Sequence, residues 1–385
     1  MNDAPHPALL PTGFYDLLPP EAQVEAEVTA RLMAVLAAHG YERVKPPLVE
    51  FEETLLAGAG AVTASDTFRT LDPASHRMIG VRADMTPQIA RIAAGRLAHA
   101  ERPLRLSCDG QVLRVKGSEI RPERQVGQVG AELIGVGGAA ADVEAIAVAG
   151  EALATVGAPH LSVDITLPTL VPAIAEYYGI IGAEAALLRA ELDRKDAAAV
   201  AALPGEAGKL LSRLVALAGA AATARPALER LSLPPKAREE IDRLGAVLDG
   251  LKAVVPDLHV TVDPVENRGF EYHTGVAFAF FARVGPERGP LGELGRGGRY
   301  VAGAPAAPEP ATGFTLYTDS ILRTLPEAKR TRRVLVPPGE ERAAVTLRAE
   351  GWVTVAALLP AADWKEEARR LGCGYLLVAD KPMVV

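Results

Sequence analysis

Residues 266–275 read ENRGFEYHTG, placing Arg268 between Glu266 and Glu271 and following them with Tyr272 and His273. Arginine suits carboxylate and phosphate because its planar fork makes two parallel charge-assisted hydrogen bonds and keeps its charge when desolvated. Arg82, Arg114, Arg121, Arg124 and Arg299 read in strands or turns beside acidic or glycine positions. Together with Arg268, such a set could hold a zwitterionic ligand. Asp84, Glu132 and Glu271 could meet an ammonium or imidazole, with Gln128 orienting it. Gly269, Gly275, Gly297 and Gly298 would let backbone approach closely, and Tyr272, His273 and Tyr300 supply flat walls with a polar tip.

Taken singly, each of these residues also has a plainer role. One arginine on a strand is usually solvated or ion-paired, GRGGRY (295–300) reads as a Gly-rich tight turn, and His273 alone reads as structural. Cys108 reads as a core residue. Neither it nor Cys373, the other cysteine, lies in a CxxC pair, so a disulfide framework and a four-thiolate zinc site are excluded. No HExxH, nucleophile elbow or P-loop occurs, and no metal or cofactor is expected. A net charge of -7 and a pI near 5.6 argue against a protein that coats nucleic acid. Two cysteines, no secretory n-region and no long uncharged apolar run fit a cytoplasmic chain without a membrane span.

The elements that must position these groups are legible in the pattern. At 385 residues, two or three domains are expected. EAQVEAEVTARLMAVLAAHG has helical spacing and stops at Gly40; YERVKPPLVEF follows as a strand broken by Pro46 and Pro47. MIGVRADMTPQIARIAAGRLA turns from strand into helix, with Thr86 as N-cap and Pro87 in the first position. Residues 104–136 read as two long antiparallel strands around an Arg-rich loop. Residues 171–256 read as a helical insertion; strands then resume, and KRTRR (329–333) links to a small α/β appendix with a parallel sheet.

The order of motifs carries more than any one of them. PTGFYDLLP (11–19), GYERVKPPLVE (40–50), VRADMTPQIAR (81–91), GQVLRV with RPERQVGQVGAELIG (110–135), NRGFEYHTG (267–275), GRGGRY (295–300) and TGFTLYTD (312–319) resemble the class II histidyl-tRNA synthetase family over about 325 residues. The resemblance implies an α+β fold: a six- or seven-stranded antiparallel sheet flanked by helices, dimerising around GYERVKPPLVE. The core would span 1–328, including the 171–256 insertion, with a linker at 329–333 and a shortened anticodon-binding-like domain at 334–385. It also implies a histidine pocket. Asp84, standing where the family has Glu, would face the α-amino group with Thr86 and Gln128; Arg268 would face the carboxylate, with Arg114 on the neighbouring loop. Glu132, Tyr300 and the pair Tyr272 and His273 would line the imidazole, His273 replacing the family's second tyrosine.

The departures from the family decide what the pocket would serve. Arg114 is followed by Val115 and Lys116, where synthetases carry an acid that helps hold ATP. Arg124 to Gln128 lack the stacking aromatic and histidine of the family's pattern, and Ser320 stands where an arginine lies over adenine. The appendix is short and has no basic cluster beyond KRTRR, so tRNA reading is not expected. A chain that keeps the amino-acid pocket and loses the ATP and tRNA elements resembles the ATP phosphoribosyltransferase regulatory subunits. That resemblance implies no catalytic residue here, a short-form catalytic subunit as partner, histidine as effector, and a homodimer within a hetero-oligomer. A divergent active synthetase and a free-standing histidine- or RNA-binding module are the rivals.

Overall fold

The amphipathic stretch after Pro20 forms helix Glu21–Ala38, which buries Val28, Leu32, Val35 and Leu36. These positions recur at i, i+4, i+7 and i+8, so one stripe faces the core. Gly40 adopts a φ of 79° and its N–H bonds to the Ala37 carbonyl at 3.0 Å, ending the helix where the sequence places the stop. The computed structural model describes residues 9–117, 122–202, 205–267, 269–270, 272–283, 290–304, 307–326 and 332–385. It comprises two compact units, one up to Leu325 and one of Pro326–Val385.

The larger unit is built on a sheet of nine strands among the described residues, in the order Glu42–Arg43, Leu104–Leu113, Gln125–Ile134, Ala307–Tyr317, Pro290–Ala304, Ala277–Arg283, Ser162–Thr166, His259–Asp263 and Gly219–Ala220. The six from Leu104–Leu113 to Ser162–Thr166 are mutually antiparallel. Glu42–Arg43 and His259–Asp263 join them in parallel, so the sheet is wider than expected and mixed. A parallel neighbour needs a long crossover, and the helices between residues 170 and 254 provide it for His259–Asp263. Their Leu192, Leu211, Leu228 and Leu244 are buried in the main core.

Side-chain alternation gives this sheet two faces. Val129, Ala131, Phe278, Phe280, Phe314 and Leu316 point into the main core with residues of helices Glu21–Ala38, Ala139–Val156 and Pro235–Val254. Cys108, Val126, Ile134, Tyr300 and Tyr317 point the other way, against Met85, Ile89 and Ala93. The last two belong to helix Thr86–Ala94.

Two local expectations are corrected. GRGGRY is not a turn: it lies inside the continuous strand Pro290–Ala304, paired on both sides. The glycines are needed there for approach rather than reversal, since a Cβ on Gly297 would sit 2.2 Å from the Gly313 carbonyl and one on Gly298 would sit 2.5 Å from the His273 ring. Thr86 does not cap its helix; Met85 occupies the N-cap without a side-chain bond, and the Thr86 N–H donates to the Asp84 carboxylate at 2.8 Å.

In the smaller unit, Arg333–Val336, Val353–Ala356 and Tyr375–Val378 form the expected parallel sheet. A fourth strand, Lys381–Val384, returns antiparallel. Ala379 and Asp380 both take positive φ in the two-residue turn that joins it, the geometry of a tight hairpin. Of the linker KRTRR, residues 329–331 lie outside the described residues, and Arg333 opens the first strand.

Candidate functional site

The face opposite the main core carries a cleft open to solvent. Register assembles it. Glu132 pairs with Gly313, Gly313 with Gly298, and Gly298 with Ala277, so a carboxylate projects over a floor without side chains. A Cβ on Gly313 would lie 1.8 Å from Glu132 Oε2, which makes the glycine a condition for the carboxylate's position.

Glu132 is 3% exposed and accepts a hydrogen bond from the Tyr300 hydroxyl at 3.0 Å. Burial pushes its carboxyl up to about 8; the Tyr300 and Thr86 hydroxyls oppose the shift, and the Asp84 charge adds to it. This carboxyl therefore holds its proton at neutral pH, and an incoming cation would favour its ionised form. Tyr272 lies with its ring centroid 4.1 Å from His273 and 6.1 Å from Tyr300, forming an aromatic wall. His273 is 5% exposed, its Nδ1 3.3 Å from the Phe270 carbonyl. Burial drives its basicity down to about 3, and the Arg296 charge works in the same direction, so its ring is neutral.

Of the residues singled out in the sequence, Asp84, Thr86, Glu132, Tyr272, His273 and Tyr300 line this one cleft. Gln128 stands on the same sheet face as Glu132, four residues before it and paired with Tyr317; its Oε1 accepts from the Met85 N–H at 3.3 Å, and its buried Nε2 has no partner among the described residues. Arg114 does not line the cleft; its backbone is tied to Arg124, N–H to carbonyl at 2.7 Å. Arg121, Arg268 and Glu271 lie outside the described residues.

The remaining arginines serve the fold. Arg82 donates to the Gln111 and Pro46 carbonyls. Arg124 lies over the rings of Phe14 and Phe68. Arg299 points to the opposite face, where it pairs with the buried Asp142 at 2.7 Å.

Arg296, Thr315 and Tyr317 also line the cleft, and none of them was anticipated from the sequence. The signal lay in parity: with 295–300 taken as strand, Arg296 falls on the face of Gly298 and Tyr300. Arg296 donates Nε to Glu293 Oε1 at 2.6 Å, Nη2 to Glu293 Oε2, and Nη1 to the Gly269 carbonyl at 3.1 Å. Burial works against its charge, and the Glu293 contacts outweigh that. With Asp84, Glu132, Arg296 and the tyrosines Tyr272, Tyr300 and Tyr317 in its lining, the cleft has the side chains for a small zwitterion with a polar ring. Among the described residues, no cluster of His, Cys, Asp or Glu could hold a metal ion.

The histidyl-tRNA synthetase family pattern matches residues 13–321. The architecture is that of a class II synthetase-like protein: a crystal structure of an ATP phosphoribosyltransferase regulatory subunit/histidyl-tRNA synthetase from Bacillus halodurans superposes with a TM-score of 0.79 at 25% identity, covering 95% of this chain and 97% of that one. The ATP phosphoribosyltransferase regulatory subunit of Paramagnetospirillum magneticum is 55% identical over 382 residues, covering 99% of this chain and 98% of that protein. Its counterpart in Rhodospirillum centenum is 54% identical over 374 residues, covering 97% and 95% respectively. The chain belongs to the histidyl-tRNA synthetase family, in its branch of ATP phosphoribosyltransferase regulatory subunits.

Proposed function

We propose that this chain binds histidine in the cleft of Asp84, Thr86, Gln128, Glu132, Tyr272, His273 and Tyr300, and regulates a short-form ATP phosphoribosyltransferase catalytic subunit at the first step of histidine biosynthesis. It contributes no catalytic group. It supports the partner's activity and lowers it when histidine is present. The observation that carries this reading is the buried Glu132, hydrogen-bonded by Tyr300 over the Gly298 and Gly313 floor, in a chain 55% identical to a protein of that name. Arg268 and Arg114 complete the proposed set of binding residues.

The core of 1–328, with its 171–256 insertion, and the appendix of 334–385 act in the cytoplasm as a homodimer within a hetero-oligomer, and tRNA is not a ligand. No helix among the described residues is long and apolar enough to cross a membrane.

Feedback of this kind requires that histidine bind one state of the assembly better than another, typically by about 5- to 150-fold. The test is phosphoribosyl-ATP formation by the cognate short catalytic subunit, with and without this chain, across a histidine titration. Activation together with histidine inhibition is expected. A rate untouched by the chain, combined with histidine-dependent ATP–pyrophosphate exchange by the chain alone, would establish a divergent synthetase instead.

A further inference from the structure

We infer that Arg296 is the carboxylate-binding residue of the cleft, receiving the ligand's α-carboxylate on its guanidinium while Glu132 and Tyr300 receive the ring. This rests on the proposed histidine reading and adds to it a residue that the sequence did not single out.

Residues two apart on a strand share a face and lie about 6.6 Å apart along it, so Arg296 stands one pleat from Gly298, the floor position in register with Gly313 and hence with Glu132. A ligand lying on that floor with its ring against Glu132 and Tyr300 extends its other end toward Arg296. The floor is bare along this path, because Gly298 and Gly313 have no room for a side chain. An α-amino acid with a short side chain and a five-membered ring has about this reach.

A guanidinium carries five N–H groups. Nε and Nη2 donate to Glu293, and Nη1 donates to the Gly269 carbonyl. Two N–H groups remain, one on each terminal nitrogen, and the two terminal nitrogens form a fork that matches the two oxygens of a carboxylate. The clamp by Glu293 and the contact over the Phe270 ring at 4.9 Å hold the side chain in place before the ligand arrives, which lowers the ordering cost of binding.

Asp84, Glu132 and Arg296 line the same cleft, so acidic groups and a guanidinium both face a ligand held there. Arg299, three residues on, cannot serve, because it is committed to Asp142 on the other face.

The test is isothermal titration of the full chain with histidine and with histamine, which lacks only the carboxylate, in wild type, R296Q, R296K and R268Q. For wild type, histidine should bind more tightly than histamine. In R296Q histidine should lose roughly 10- to 100-fold, the value of hydrogen bonds to a charged group, while histamine changes by less than about threefold, so the preference disappears. R296K, which keeps the charge and loses the fork, should give an intermediate loss, and it decides the matter if R296Q does not fold. An undiminished preference in folded R296Q or R296K overturns the assignment while leaving the histidine reading intact, as does loss of the preference in R268Q alone. Failure of wild type to bind either compound overturns the histidine reading and the assignment with it.

Discussion

Replacing Glu132 by Gln should change how the stability of the fold depends on pH, and the direction follows from the burial of the carboxyl. In the folded chain Glu132 holds its proton up to about pH 8, against an ordinary value of 4.5. Between these limits the folded state carries a proton that the unfolded state has released, so wild-type stability falls as pH rises through the interval. At about 1.36 kcal/mol for each pH unit between the two values, the loss approaches 5 kcal/mol at the alkaline end. Gln keeps the size of the side chain and an oxygen to accept from the Tyr300 hydroxyl, yet it cannot ionise. Urea unfolding at pH 5, 7 and 9, followed by far-UV circular dichroism, should show wild type and E132Q close together at pH 5. E132Q should be the more stable by several kcal/mol at pH 9. Parallel stability curves for the two proteins across this range would refute the reasoning, since they would mean that Glu132 is already ionised at neutral pH.

Other perturbations probe the floor, the rear face and the aromatic wall. G313A places a Cβ 1.8 Å from Glu132 Oε2 and 2.8 Å from the Ala131 carbonyl; overpacking of about 1–3 kcal/mol is expected, with loss of histidine binding by calorimetry even where the variant folds. D142A leaves Arg299 and Thr312 without their fully buried partner, and should destabilise the larger unit by roughly 3–5 kcal/mol in the same unfolding assay. The His273 ring, protonating only near pH 3, should show no titration between pH 8 and 5 in nitrogen-15 NMR. Because the unfolded ring protonates near 6.5 and the folded one does not, His273 withdraws stability as pH falls from 6.5 toward 3, and H273N should flatten that part of the curve.

Much of the scaffold was readable from local periodicity. The apolar stripe of Glu21–Ala38 and its stop at Gly40 need only the helical repeat and a glycine at the end. The antiparallel pair Leu104–Leu113 and Gln125–Ile134 follows from alternation. The sheet's breadth was not readable, because strands of two residues such as Glu42–Arg43 and Gly219–Ala220 leave no pattern of their own. The antiparallel return of Lys381–Val384 depends on two residues with positive φ that are not glycines, so the usual turn signal is missing.

The residue types suited to a zwitterion could be read along the chain, and eight of those singled out there, Asp84, Thr86, Glu132, Tyr272, His273, Gly297, Gly298 and Tyr300, share one cleft. Which arginines face it depends on long-range strand pairing. Arg296 and Arg299 lie three residues apart in one glycine-rich run, and local propensity gives that run to a turn. Pairing with Ala277–Arg283 on one side and Ala307–Tyr317 on the other makes it a strand instead. Once it is a strand, an odd separation sends the two guanidinium groups to opposite faces: Arg299 into the core against Asp142, Arg296 into the cleft. The contacts that fix this come from strands distant in sequence, which is why no window along the chain could have revealed it.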